Sequence, residues 1–372
     1  MEQCGDGLDP PGISTNSPEA QATVAFCGWS GSGKTTLLES LVPRLTWRGL
    51  AVAVVKHDAH GVALDTPGKD SDRLFRAGAT VALRGPDEVA VRTRPSESTT
   101  LERVVRRLLR HHDVVLVEGH KGTPLAKVWL GAANDGSVPP AVQDVVEVLA
   151  WGDGRLERAE EIVVARLEAA ATKRRILGGV LVGGSSRRKG RPKQVLEVAG
   201  RPMVEGVASA LRPHVDELVL LGDGPVHTGL AGAWRIPDAP GIRGPLAGIL
   251  AAMRWAPQAT WVVAACDVPR ADAATIRWLL EQRRPGRWAV LPSIGSGIEP
   301  LFAVYEPQAG ELLEDLAAGG QSAPRRLADC TKVSTPTPPD DLVGCWLNAN
   351  TPADLASLAA DPRPEGVWRS SP

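Results

Sequence analysis

The sequence predicts an α/β protein made of two doubly wound, mainly parallel sheets. Short apolar runs of strand length alternate with helical patterns, the alternation restarts near residue 176, and each half opens with an apolar run that breaks into a glycine-rich loop. A chain of 372 residues exceeds one comfortable core, which also favours two domains.

In the first half, Ala22–Cys27 reads as a strand, a Gly and Ser stretch as a loop, and Thr35–Trp47 as a helix. A second strand, Leu50–Val55, ends in Lys56, His57 and Asp58. A polar loop, Gly61–Asp72, leads to a short helix near Arg73. Thr80–Leu83 reads as a strand, Thr99–Arg110 as an amphipathic helix, Val114–Val117 as a buried strand and Ala141–Ala150 as a further strand region. Leu156–Ala171, rich in Ala, Glu and Arg, is a closing helix.

The second half restarts at Ile176–Val182. Strands at Glu217–Leu221, Trp261–Ala265, Trp288–Leu291 and Leu301–Tyr305 alternate with helices at Met203–Leu211, Leu246–Trp255 and Ala273–Gln282. The expected domains are 21–171 and 176–362, joined by a linker at 172–175, with disordered tails at 1–20 and 363–372. No internal repeat of fixed period is present.

Composition narrows the function. Hydrophobic residues are 43% and charged residues 23%, an ordinary globular balance, and a net charge of -1 offers no global field for a polyanion. Nucleic acid is not an expected partner. The apolar runs fall well short of the roughly 20 residues that cross a bilayer, and the first residues carry no secretory pattern. No membrane association is expected. Five scattered cysteines without a CxxC pair read as reduced thiols in a cytoplasmic protein.

Gly28-Trp29-Ser30-Gly31-Ser32-Gly33-Lys34-Thr35 fits GxxxxGK[ST] between a strand and a helix, the context this phosphate-binding loop requires. Its backbone N–H groups curl around phosphate, Lys34 supplies a point charge, Thr35 offers a hydroxyl to magnesium, and Thr36 continues the helix start. Only nine residues are lysines, so a lysine in this place is informative. Asp113 and Glu118 bracket Val114–Val117, and Glu118, at the strand's end, is the preferred carboxylate for magnesium or an attacking water. Lys56, His57, Asp58, His60, Asp65 and Asp70 form either a nucleotide-sensing loop or a polar surface loop.

The second loop, Leu181-Val182-Gly183-Gly184-Ser185-Ser186-Arg187-Arg188-Lys189-Gly190-Arg191-Pro192-Lys193, lacks the GK[ST] ending. Its small residues admit phosphate oxygens, and Arg188 and Lys193 supply cations for charge building on an α-phosphate and leaving pyrophosphate. Asp267 lies past a strand's carboxyl end, where ligands bind in open sheets and where it would hold magnesium; Asp238 is a second acid for nucleotide or metal. Gly244–Gly248 opens a helix facing the same edge. Together these suit nucleotidyl transfer.

The runs GWSGSGKTTLLESL, VVKHDAHG, DTPGKDSDRLFRAGA and VVLVEGHKG, in order over residues 22–170, resemble the molybdopterin-guanine dinucleotide biosynthesis adaptor family, MobB. The resemblance implies a P-loop NTPase-like domain that binds GTP with weak hydrolysis at most and assists a guanylyltransferase. LVGGSSRRKGRPK, GRPMVEGV, IPDAPGIRGPLAGIL, CDVP, IEPLFAVY and NANTPADL resemble the molybdenum cofactor guanylyltransferase family, MobA, over nearly the whole second half. That resemblance implies a Rossmann-like nucleotidyltransferase that moves GMP from magnesium GTP to molybdenum-bound molybdopterin, with release of pyrophosphate.

By motif position it implies nucleotide contacts from Leu181, Val182, Gly183 and Asp238, phosphate contact from Lys193, and nucleotide and Mg2+ contact from Asp267. It implies a pterin or nucleotide role for Asn348 and Asn350. A homodimer and exchange with apo-molybdoenzymes and their chaperones are the further partners expected. This sequence departs from the family at Lys189, where Met is usual, at Pro192, where Asp is usual, and after Leu221, where Gly222 and Asp223 replace an expected Asn. A cytidylyltransferase, a sugar-phosphate nucleotidyltransferase and a non-catalytic GTP-regulated carrier are the alternatives.

Overall fold

The computed structural model describes residues 22–57, 65–96, 100–133, 136–183, 197–198, 200–225, 228–349 and 354. The expected tails lie outside these residues, as do Asp58, His60, Gly184, Arg188, Lys189, Pro192, Lys193 and Asn350. Two compact units divide the chain between Leu167 and Glu168, with Arg48–Ala51 grouped with the second.

The first unit contains β1 (Thr23–Gly28), α1 (Lys34–Trp47), β2 (Val52–Lys56), α2 (Asp70–Arg76), β3 (Val81–Arg84), β4 (Val89–Arg92), α3 (Leu101–Leu108), β5 (Val114–Glu118), β6 (Lys127–Leu130) and β7 (Val145–Leu149), and most of α4 (Arg155–Lys173). Five strands form a parallel sheet in the order β2-β5-β1-β6-β7. Every residue of β1 is buried, as a central parallel strand covered on both faces demands. Leu37, Leu38, Leu41 and Leu45 turn one face of α1 inward at helical spacing.

The second unit contains β8 (Ile176–Leu181), β9 (Glu197–Val198), β10 (Arg201–Pro202), α5 (Met203–Leu211), β11 (Glu217–Leu221), β12 (Trp234–Ile236), α6 (Pro245–Trp255), β13 (Thr260–Ala265), α7 (Ala273–Glu281), β14 (Ala289–Val290), β15 (Ser293–Ile294), β16 (Gly297–Ile298), β17 (Phe302–Tyr305), α8 (Ala309–Ala318), β18 (Val333–Ser334) and α9 (Asp340–Val343). Its seven-stranded sheet runs β12-β11-β8-β13-β17-β14-β18. Alternate residues of β13 feed opposite cores: Trp261 and Val263 join Ile249, Met253 and Leu313 of α6 and α8, while Val262 and Ala264 join Val204, Leu211 and Ile276 of α5 and α7. Helices therefore cover both faces.

Four details go beyond the sequence reading, within sheets that are mainly parallel as expected. The strand expected at Thr80–Leu83 pairs only with β4, as an antiparallel hairpin outside the parallel sheet. β6 escapes a reading by composition because it opens with Lys127, which is fully buried with its Nζ donating to the carbonyls of Thr123 and Leu125. β17 runs antiparallel to both neighbours, so the second sheet is mixed. Residues 172 and 173 are the end of α4 rather than irregular linker, since the Ala- and Glu-rich run retains helix propensity to Lys173.

Away from the loops, β8, β13 and β17 of the second unit are held at one end by a charged cluster. Glu306 accepts from Arg283 at 2.5 Å, Arg174 at 2.8 Å and Thr260 at 2.8 Å. Burial alone would raise this carboxyl, yet Arg283 and Arg174 hold it below the ordinary carboxylate range.

Candidate functional site

In the first unit the phosphate loop leaves the carboxyl end of β1 and opens α1. Gly28 has no room for a side chain: a Cβ there would stand 2.4 Å from Ser32 Oγ and 2.6 Å from the Leu130 carbonyl. Ser32 is buried beneath the loop, whereas Ser30, Gly31, Thr35 and Thr36 are exposed along its rim. Lys34 Nζ folds back to the Trp29 carbonyl at 2.8 Å and the Gly28 carbonyl at 3.4 Å. Partial burial pulls its ammonium below the ordinary lysine range, against the opposing attraction of Glu118.

The structure brings Glu118 to this loop and keeps Asp113 from it. Thr35 Oγ1 donates to Glu118 Oε1 at 2.8 Å, while Asp113 precedes β5 at the opposite end of the strand. Beside Glu118 stands His57, whose N–H donates to the Glu118 carbonyl at 3.2 Å and whose ring centroid lies 4.4 Å from that of His120. Of the loop after β2, Asp58 and His60 lie outside the described residues, and the described acids pair with arginines. Asp65 and Asp72 pair with Arg92, and Asp70 with Arg73. Among the described residues no cluster of three His, Cys, Asp or Glu side chains has metal-binding geometry.

Composition gave no hint of Arg155, the first residue of α4. Its guanidinium donates to the carbonyls of Ser32 at 2.9 Å, Gly131 at 2.5 Å and Leu149 at 3.0 Å, and its Nε to Ala150 at 3.0 Å. One arginine thus ties the phosphate loop to the ends of β6 and β7. Trp29 is also fixed, edge-on to Trp129 with Lys121 Nζ 4.5 Å above its ring.

In the second unit the ends of β8, β11, β12 and β13 converge where the strand order reverses. Leu181 ends β8, Val182 follows it and is also buried, and Gly183 comes next at the exposed edge. Asp238 lies just past β12, and its carboxylate sits among three glycines: a Cβ on Gly183, Gly222 or Gly248 would stand 3.4 Å from one of its oxygens. Loss of hydration in this setting, then the charge of Asp223, pushes the Asp238 carboxyl up. Gly222 and Asp223, the residues found instead of an expected Asn, thus abut Gly183 and act on Asp238 respectively.

Asp267 sits two residues past Ala265, which pairs with Leu181, so Asp267 and Gly183 leave adjacent parallel strands at the same level. From the other side comes β17, whose antiparallel register pairs Ala264 with Phe302, and the Ala265 N–H donates to the Leu301 carbonyl at 2.7 Å. Glu299 lies three residues before β17, near enough to Asp267 to feel its charge. Burial, then the Asp267 charge, raises the Glu299 carboxyl. The folded chain brings this acid to the candidate site, although it already stands within the IEPLFAVY run. Asn348 is exposed beside the same corner, where Ala349 N–H donates to the Asp267 carbonyl at 2.9 Å.

These two strand-end sites define a class: a chain that couples a GxxxxGK[ST] phosphate-loop unit to an α/β unit of nucleotidyltransferase type. Residues 23–151 match the family described as molybdopterin guanine dinucleotide synthesis protein B, MobB, and residues 178–333 match the MobA-like NTP transferase domain. The chain belongs to both families, MobB in its first part and MobA-like in its second.

Over 129 residues it is 38% identical to the molybdopterin-guanine dinucleotide biosynthesis adapter protein of Haemophilus influenzae, covering 34% of this chain and 72% of that one. Over 190 residues it is 33% identical to the molybdenum cofactor guanylyltransferase of Cereibacter sphaeroides, covering 49% of this chain and 94% of that one. The corresponding enzyme of Pseudomonas putida is 34% identical over 145 residues, 38% of this chain and 76% of that one. No helix among the described residues is long and apolar enough to cross a membrane.

Proposed function

We propose that the chain is a fused guanylyltransferase and adaptor of molybdenum cofactor biosynthesis. Its second unit transfers GMP from GTP to molybdenum-bound molybdopterin, and its first binds GTP and assists delivery of substrate or product. The observation that carries the reading is the convergence of Gly183, Asp238 and Asp267 on one edge of the second sheet. The similarity to guanylyltransferases of Cereibacter sphaeroides and Pseudomonas putida supports it independently.

In the transfer, an oxygen of the pterin's terminal phosphate attacks the α-phosphorus of GTP in line. The bond to the β-phosphate breaks and pyrophosphate leaves, with no covalent enzyme intermediate. Leu181, Val182, Gly183 and Gly184 would line the nucleotide, Asp238 would orient it, and Arg188 and Lys193, by their motif positions, would offset the leaving-group charge. Asn348 and Asn350 would serve the pterin or nucleotide side.

The donor chemistry suits magnesium, a hard cation that takes oxygen ligands: Asp267, with Glu299 near it, in the second unit, and the Thr35 hydroxyl with Glu118 in the first. When bound, the ion neutralises phosphate charge. Joining the two activities in one chain raises the effective concentration of each for the other.

The test is pyrophosphate release by the full chain with molybdenum-bound molybdopterin and magnesium, comparing GTP, CTP and ATP in the wild type and in Asp267→Asn. GTP-specific release lost in Asp267→Asn is the expected result. A CTP preference would move the second unit to cytidylyl transfer, and no release with any nucleotide would leave a carrier.

A further inference from the structure

We infer that Trp151 is the platform on which the base of the loop-bound nucleotide stacks, which fits the first unit to a nucleoside phosphate rather than to bare polyphosphate. This rests on the proposal that the first unit binds GTP. Trp151 lies two residues past β7 and is 54% exposed, a large apolar ring left open to water. It is nevertheless at the phosphate loop. A Cβ on Gly33 would lie 3.7 Å from its ring.

The ring is also held in place. The Arg155 guanidinium carbon lies 5.2 Å from the ring centroid, and the same guanidinium is tied to Ser32, Gly131 and Leu149. The platform is therefore fixed to the loop that would cradle the phosphates, so stacking on it loses little conformational freedom. Trp29 is the less exposed ring, at 39%, and besides a cation over it packs against a second ring, Trp129.

Topology says which end of the nucleotide lies here. β1 has β5 and β2 on one side and β6 and β7 on the other. Glu118, at the end of β5, meets Thr35, the residue whose hydroxyl serves the metal and outer phosphates. The outer phosphates thus belong on the β5 side, and the sugar and base extend toward the ends of β6 and β7. Trp151 stands in that direction, at the edge of the loop. A tryptophan face accepts any base, so it adds affinity without choosing guanine over adenine.

The test is calorimetric titration of the full chain with GTP and, separately, with tripolyphosphate. The loop site is the binding event that Lys34→Ala removes. Trp151→Ala should weaken GTP at that event about tenfold and Trp151→Phe by no more than about threefold, with tripolyphosphate affinity unchanged in both. Unchanged GTP affinity in Trp151→Ala would overturn the inference, and so would an equal loss for tripolyphosphate, which would make Trp151 a support of the loop. If Lys34→Ala removes no event, GTP binding by the first unit fails first and the inference falls with it.

Discussion

Gly183 and Gly222 face one another so closely that a Cβ on Gly222 would stand 2.9 Å from both the nitrogen and the Cα of Gly183. The contact joins the turn after β11 to the start of the second loop, with Asp238 beside both. Gly222 also has φ of 103°, outside the reach of most side chains.

Gly222→Ala should therefore destabilise the second unit by about 2–3 kcal/mol, through strain and backbone collision together. Urea unfolding would read the loss. Gly248→Ala is the informative contrast, because its nearest neighbour is the movable Leu181 Cδ2 at 2.7 Å rather than backbone. A smaller loss is expected there.

Glu118→Gln should weaken magnesium-dependent GTP binding by the first unit about tenfold or more, because the amide retains the shape but not the charge beside Thr35. Binding measured in EDTA should change far less. An equal loss with and without magnesium would mean that Glu118 only positions Thr35.

Lys34→Ala should leave pyrophosphate release by the second unit largely intact while removing GTP binding at the phosphate loop. A steady-state release assay beside a binding titration separates the two. Loss of release would show that the first unit is needed for chemistry.

Glu306→Ala should cost about 3–5 kcal/mol, since it leaves Arg283 and Arg174 facing each other without their shared carboxylate. A urea denaturation curve would show it. Nucleotide affinity should hold in the remaining folded protein, because the cluster lies at the end of the sheet opposite Asp267.

Asp72 supplies a pH prediction. Its carboxylate accepts from the Gly68 N–H at 2.9 Å and from Arg76 and Arg92, which lowers its pKa to about 2. The folded value lies below the unfolded one of about 3.9, so the stabilisation is full above that pH and fades as pH falls toward about 2. The difference in urea midpoint between wild type and Asp72→Asn should be constant from neutral pH to about pH 5 and shrink below about pH 4.

Much of the fold and of both sites was legible because strand ends are punctuated by chemistry. The glycines and Lys34 after β1, Glu118 at the end of β5 and Asp267 after β13 are conspicuous where apolar runs stop, and the structure brings Glu118 to Thr35 and Asp267 level with Gly183. What escaped depends on pairing and burial. Lys127 reads as a surface charge, yet its ammonium is satisfied by two carbonyls inside the fold. Arg155 reads as one helix arginine among many, and only the folded chain sets it under the loop. Strand direction was equally hidden, because Phe302–Tyr305 is an apolar run like the others and only the register pairing Ala264 with Phe302 reveals its reversal.

That reversal changes the residues on which the site can draw. A parallel strand brings to the active edge only the chain on its carboxyl side, whereas β17 brings the chain on its amino side. The connection from β14 through the β15–β16 hairpin to Glu299 and Leu301 becomes a second source of contacts, independent of the nucleotide loops. That connection can change in sequence while leaving Gly183, Asp238 and Asp267 where they stand. One backward strand thus brings to this edge a stretch of chain that can vary apart from the glycine-rich loop.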